Sequence, residues 1–239
     1  MSQAPQLSIV IPARSEQFEL GATLESVRAA ADALGQPWEC IVVDDGSTDR
    51  TAEIARALGA RVIAVELHNI GAVRNAGARE ARGRRLVFLD ADTRLPAETL
   101  QAAWDAMDSG AVGGGAWVRF DGIGWFARIL IWMFCFGWQR LCGWAAGCFI
   151  FANKAEFDAV GGFDETYFAS EERFLSTALC SRGRFVILKQ AVTSSPRKLR
   201  LYTPGQILGI IVRALLGGRQ ALQRREGLEF LYDAPRETG

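Results

Sequence analysis

The stretch "RLVFLDADTRL" (residues 85–95) sets the reading of the whole chain. Four apolar residues, Leu86 to Leu89, run without alternation straight into Asp90-Ala91-Asp92-Thr93. A short apolar run that does not alternate reads as a strand buried on both faces. Two carboxylates one residue apart then stand where that strand ends. Working outward, "LSIVIPA" (7–13), "ECIVVDDGS" (39–47) and "ARVIAVE" (60–66) have the same character. Helical patterns separate them. Leu20, Leu24 and Val27 share one face; Ser47-Thr48-Asp49 offers an N-cap for a helix over 50–58; residues 71–83 form an Ala- and Arg-rich helix closed by Gly83; and Pro96 to Met107 reads as a fourth helix. This alternation predicts a parallel sheet covered by helices on both faces. In such sheets ligands sit outside the carboxyl ends of the strands. Ser15-Glu16, Asp44-Asp45 and Asp90-Asp92 all follow strand ends, so they are expected to converge on one crevice.

The second half is less regular. Residues 111–120 read as a strand and 124–141 as a helix apolar almost all round. "AAGCFIFANKAEFDAVGGFDE" (145–165) reads as a strand, a short helix and a Gly-Gly-Phe-Asp turn. A helix over 170–183, a strand over 184–190 and an apolar helix over 205–225 complete the chain. With no repeat or linker, the 239 residues are expected to form a single domain. Its donor half would be 7–110, its acceptor half 111–200, and its C-terminal helix and tail 201–239.

Composition removes several function classes. The chain carries 27 basic and 27 acidic residues, which gives no electrostatic reason to bind nucleic acid. One histidine, His68, makes a His-rich zinc site impossible and a Ser-His-Asp triad unsupported, and it reads as a loop residue. Five cysteines without a CxxC pair read as reduced thiols, mostly in the core, and the opening "MSQAPQ" has no signal-peptide character; both suit a cytoplasmic protein.

A D-x-D turn with no histidine suits a hard divalent cation, Mg²⁺ or Mn²⁺, shared with phosphate oxygens of a substrate. Asp44 and Asp45 offer acceptors to a ribose or base, and Arg74 a counter-charge to phosphate. Such a site fits glycosyl transfer from a sugar nucleotide. It also fits an aspartate-based phosphohydrolase. Chain order disfavours the second, because the Asp44-Asp45 pair precedes the D-x-D strand and no glycine follows Asp92. A nucleotidyl transferase lacks its Gly-rich phosphate loop here. A domain that binds a sugar nucleotide without turning it over is the non-enzyme alternative.

Taken in order, "LSIVIPARSE", "CIVVDDGSTDRTAEIA", "NIGAVRNAGAREARG", "LVFLDADT" and "AAGCFIFANKAEFDAVGGFDETYFASEE" resemble the family 2 glycosyltransferases of the GT-A fold over about residues 7 to 190. The resemblance implies a Rossmann-type α/β domain with a mostly parallel sheet, a nucleotide-diphospho-sugar donor, Mg²⁺ or Mn²⁺, and inverting transfer. It implies that Pro12, Arg14 and Glu16 line the nucleotide pocket, with Asp45 on the base and Asp44 beside it. It places Arg74 on the donor, Asp90 on the ribose, and Asp92 on metal and diphosphate. In "SEER" it puts the catalytic base at Glu171 or Glu172, with Glu172 favoured. The chain departs from the family pattern at Ser15 (often Asn), at Phe174 (often acidic), and at "SSPRKLR" (194–200). In that last stretch Arg197, Lys198 and Arg200 stand in for the usual diphosphate-holding residues.

The 124–141 stretch has Trp125, Trp132 and Trp138 among aliphatic and Phe residues, bracketed by Arg128 and Arg140. That pattern suits either a core or dimer interface, or the interface of a bilayer. Its longest apolar run, Ile129 to Trp138, is ten residues, too short to cross a hydrocarbon core of about 30 Å. "ILGIIVRALLGG" (207–218) adds a second such stretch. If they meet the inner face of a membrane, a lipid or lipid-linked acceptor follows.

Overall fold

Eight strands form one sheet in the order β3-β2-β1-β4-β7-β6-β8-β5 in the computed structural model, which describes residues 4–120 and 143–195. The strands are β1 (Leu7–Ala13), β2 (Trp38–Asp45), β3 (Arg61–Val65), β4 (Arg85–Leu89), β5 (Thr93–Arg94), β6 (Gly113–Phe120), β7 (Phe149–Asn153) and β8 (Phe185–Ser194). The helices are α1 (Leu20–Leu34), α2 (Thr51–Ala57), α3 (Ile70–Glu80), α4 (Ala97–Asp108), α5 (Lys154–Ala159) and α6 (Glu171–Cys180).

The β1–β4 half is parallel, as the apolar runs predict. Beyond it the sheet is mixed. β7 runs antiparallel to β4 and β6, while β6 and β8 are parallel. A two-residue strand, β5, pairs antiparallel with the end of β8 and closes the edge beside the D-x-D turn. No sequence pattern announces so short a strand. The mostly parallel α/β sheet therefore stands, with its antiparallel pairs confined to the second half.

Alternate side chains of the buried strands feed two cores. Ile9, Ile11 and Val42 pack with Leu20, Leu24, Leu100 and Met107 from α1 and α4. Val10, Ile41 and Val43 pack with Val73, Phe157 and Leu175 from α3, α5 and α6. α3 lies especially close to the sheet. A Cβ at Gly77 would stand 2.8 Å from Val43 Cγ2 and closer still to Val10 Cγ1, so a glycine is needed there. α1 stops at Gly35, which takes the left-handed conformation at φ 67° that ends many helices.

Several element ends differ from the sequence reading. α3 ends at Glu80 rather than at Gly83, which packs against the Leu7–Ser8 backbone. α2 begins at Thr51, with Asp49 Oδ1 accepting the Thr51 amide at 3.0 Å. β8 continues to Ser194, because the partner strands β6 and β5 supply its ladder. Of the described cysteines, Cys40 is buried and its thiol pushed up to about 12, mainly by that burial; Cys180 is exposed. No helix among the described residues is long and apolar enough to cross a membrane. The stretches 124–141 and 205–225, with Arg197, Lys198, Arg200, Cys135 and Cys142, lie outside the described residues.

Candidate active site

The D-x-D turn is fixed from several directions. Thr93 N donates to Asp90 O at 3.1 Å, and Ser195 N, just past β8, donates to Asp92 O at 3.0 Å. Thr23 Oγ1 of α1 donates to Ala91 O at 2.7 Å, and Asp90 N donates to Cys148 O at 3.1 Å. The turn is thus held by α1, the end of β8 and the approach to β7. Asp92 is buried beneath it, and Asp90 keeps about a quarter of its side chain exposed at 26%.

The loops after β1 and β2 are laced together. Ser15, at φ 52°, donates its amide to Ser47 Oγ at 2.8 Å. Glu16 N donates to Thr51 Oγ1 at 2.8 Å, and Ser47 N donates to Asp44 Oδ1 at 3.1 Å. Pro12 is buried in β1, level with Val43. Glu16, Asp44 and Asp45 are buried at the same end of the sheet. Arg14 Nη1 is buried without a hydrogen-bond partner among the described residues. Asp45 is engaged by the loop after β3: Oδ1 accepts Leu67 N at 2.7 Å and Oδ2 accepts His68 N at 3.0 Å. His68, also left-handed at φ 52°, lays its imidazole beside that carboxylate, Nδ1 3.6 Å from Oδ2. The lone histidine therefore borders the expected base pocket.

Arg74 joins the two halves. From the first turns of α3 its Nη2 donates to Asp90 Oδ1 at 2.9 Å and to Gly147 O at 2.7 Å, while Nη1 donates to Glu171 Oε1 at 2.7 Å. Its side chain is 3% exposed. Burial pulls its pKa down, but Asp90, Glu171 and Glu172 outweigh that and raise it, so the guanidinium stays charged. The residue read from sequence as a donor contact is therefore committed to carboxylates of this chain.

Glu171 and Glu172 open α6. The residue before them, Ser170, is left-handed at φ 62° and places no side-chain cap on the helix. The three left-handed non-glycine residues among those described, Ser15, His68 and Ser170, all border this site, as strained residues at functional sites do. Glu171 is buried against Arg74. Glu172 is half-buried, and its carboxyl is pushed up to about 8 by burial first and then by the Glu171 charge; Asp90 adds to this, and its own backbone amide and Arg74 oppose it. A carboxyl held above its ordinary range at the edge of a crevice suits acid–base work.

Two asparagines absent from the sequence reading hold the 163–167 segment in place. Asn69 caps α3 through Ala72 N at 2.9 Å and donates to Tyr167 O at 3.0 Å. Asn75 clasps Phe163, Nδ2 donating to its carbonyl at 2.8 Å and Oδ1 accepting its amide at 2.9 Å. The N-x-x-x-x-R-N spacing is the signal: it puts capping, bridging and clasping side chains on one helix start. Phe174, where the family pattern is often acidic, stacks on Tyr167 at 3.9 Å between centroids.

Among the described residues, no three or more His, Cys, Asp or Glu side chains come together as a complete metal cage. Asp92 brings a single hard carboxylate at the crevice. That donor set fits Mg²⁺ or Mn²⁺ when phosphate oxygens complete the shell, since these ions are commonly held by one or two carboxylates plus substrate.

The family model for "Glycosyl transferase family 2" matches residues 8–167. An undecaprenyl-phosphate 4-deoxy-4-formamido-L-arabinose transferase of Edwardsiella ictaluri is 40% identical over 111 residues, 44% of this chain and 34% of that protein. The Serratia proteamaculans protein of the same name is 41% identical over 102 residues, 40% of this chain and 31% of its own length. The chain thus spans about a third of the curated relatives it matches. Among solved structures, the mannosyltransferase PcManGT from Pyrobaculum calidifontis, in complex with GDP-Man and Mn²⁺, superposes with a TM-score of 0.63 at 18% identity, over 98% of this chain and 77% of that one. S. aureus TarS 1–349 in complex with UDP-GlcNAc gives 0.63 at 18% identity, over 87% of this chain and 65% of that one. These likenesses establish the GT-A-type fold. With the family model covering well over half of it, this chain belongs to glycosyl transferase family 2.

Proposed function

We propose that the chain transfers a sugar from a nucleotide-diphospho-sugar to an acceptor hydroxyl, with inversion. One observation carries this reading: Arg74 ties the D-x-D turn at the strand ends to the paired glutamates at the start of α6. A donor seated over Asp90 and Asp92 would present its anomeric carbon toward Glu172. Pro12, Arg14, Glu16, Asp44 and Asp45 would receive the nucleoside, and Arg197 and Lys198 the diphosphate. A Mg²⁺ or Mn²⁺ ion at Asp92 would neutralise charge on the departing diphosphate. Glu172 takes the proton from the acceptor hydroxyl as its oxygen attacks.

A second reading keeps the donor and changes the acceptor. The relatives carry undecaprenyl-phosphate in their names. A phosphate oxygen is already ionised and needs no base. Glu172 with its pKa near 8 would then act protonated, donating a hydrogen bond to the anion. The PcManGT and TarS complexes with GDP-Man and UDP-GlcNAc leave both guanosine and uridine donors in scope.

Turnover tests the shared part. Incubation with UDP- and GDP-linked sugars and Mn²⁺ is expected to release one nucleoside diphosphate, faster with acceptor present. Release from neither class would leave the domain as a non-hydrolysing binder or point away from sugar nucleotides.

The pH profile separates the two readings. If Glu172 acts as a base, kcat/KM rises with pH through a midpoint near 8. If it acts protonated, activity falls through the same midpoint. Glu171→Gln removes a charge that raises the Glu172 pKa, so either limb is expected to move to lower pH. A limb unmoved in that variant would belong to another group.

A further inference from the structure

We propose that Arg173 forms an anion subsite for the acceptor, and that the acceptor therefore carries a phosphate monoester. The inference rests on the sugar-transfer reading, and it names the chemistry of the second substrate.

Arg173 follows the candidate base in α6. Its guanidinium lies over the Trp144 ring, 4.4 Å from the centroid, and 5.7 Å from that of Phe174. Two neighbouring carboxylates in the cluster already have a cation. Glu171 and Asp90 are paired with Arg74 at 2.7 and 2.9 Å. The Arg173 guanidinium, by contrast, enters no salt bridge or hydrogen bond among the described residues, although three acidic side chains belong to the same site. Stacking on an indole fixes the plane of a guanidinium while leaving its edge N–H groups to a ligand. A planar fork of that kind matches a phosphate bidentately.

The segment that supplies Trp144 also lines the reaction centre. Ala145 N donates to Ser176 Oγ at 3.0 Å, which fastens this segment to α6. Three residues past Trp144, Gly147 gives its carbonyl to Arg74, and a Cβ on it would lie 3.7 Å from the Glu172 carboxyl carbon. Residues 144–147 thus run along the start of α6 with Arg173 at one end and Glu172 at the other. An acceptor whose phosphate meets Arg173 would have its attacking oxygen close to Glu172. Among the described residues beside Asp90, Glu171 and Glu172, the Arg173 guanidinium without a salt bridge gives an anionic acceptor its attraction, and a neutral one gains nothing from it.

Two sources share this chemistry: a soluble phosphate monoester and the headgroup of a lipid phosphate. Calorimetric titration of the full chain with 3-phosphoglycerate, farnesyl phosphate and farnesol distinguishes them, run with and without nucleoside diphosphate and Mn²⁺. At least one phosphate is expected to bind, and Arg173→Gln to weaken it about 10-fold or more, with Arg173→Lys recovering part of the loss. Which phosphate binds names the source. Farnesol binding, if any, is expected to be equal in all three proteins, and donor binding unchanged by Arg173→Gln. Phosphate binding unaltered in Arg173→Gln, or absent for both phosphates in the wild-type chain, would overturn the proposal. Arg173-dependent phosphate binding without any sugar-nucleotide binding would keep the subsite and remove the transferase reading instead.

Discussion

Replacing Glu172 with glutamine is expected to lower kcat for transfer to a hydroxyl acceptor by about 10²–10⁴-fold, the usual contribution of a positioned base. Glutamine keeps the shape and loses the proton affinity. Donor affinity is expected to hold, because the residues proposed to receive the nucleotide lie at the ends of β1, β2 and β4 and not on α6. The loss therefore belongs in kcat and not in donor KM. With a phosphate acceptor the same substitution is expected to cost little, since the amide imitates a protonated carboxyl. One variant assayed with two acceptors thus decides which proton state does the work. The substitution also relieves a buried charge. A folded-state pKa raised to about 8 means that the protein's stability falls as pH rises from the unfolded value near 4.5 up to that midpoint, because the unfolded chain's carboxyl ionises there while Glu172 in the fold stays protonated. Glu172→Gln removes that penalty, and its melting temperature is expected to exceed that of the wild type most clearly above pH 8. A variant that lost activity and stability together would have been damaged in its fold.

Arg74→Ala carries the largest expected effect on stability. The wild-type side chain is 3% exposed and pairs with Asp90 and Glu171 at once, so its removal strands two carboxylates in the site. Breaking a buried ion pair by deleting one partner typically costs about 3–5 kcal/mol. Denaturant unfolding is expected to show a loss in that range, measurable as a lower midpoint at unchanged slope. Lysine is expected to restore the charge but not the fork, since one ammonium cannot meet Asp90, Glu171 and the Gly147 carbonyl in that geometry. A loss below about 1 kcal/mol for Arg74→Ala, in the range of a surface pair, would mean that water or the carboxyls' own protonation already replaces the bridge.

The parts legible in sequence were those written locally. Non-alternating apolar runs at Leu7–Ala13, Cys40–Val43 and Leu86–Leu89 marked three central strands, because strands buried on both faces leave no room for polar alternation. The carboxylates after them followed from chain direction alone. What local patterns leave out is pairing between distant segments. Arg74 meets Glu171 97 positions further along, and Asn75 meets Phe163 88 positions further along. A guanidinium next to a glycine-rich helix looks the same in sequence whether it faces a phosphate or two carboxylates. The antiparallel insertion of β7 between β4 and β6 was hidden for a similar reason: Phe149–Asn153 is as apolar as a parallel strand, and its direction depends on where the preceding segment turns. The left-handed Ser170 had no sequence signal either, since serine before two glutamates reads as an ordinary helix cap.

The central claim is that the D-x-D turn receives a nucleoside diphosphate through a divalent cation at Asp92. Calorimetric titration with UDP and GDP, with and without Mn²⁺, on the wild-type chain and on Asp92→Ala tests it most directly. One nucleotide is expected to bind in a Mn²⁺-dependent manner, and the variant to lose that dependence. Equal binding by Asp92→Ala, or binding indifferent to Mn²⁺, would contradict the assignment of the turn.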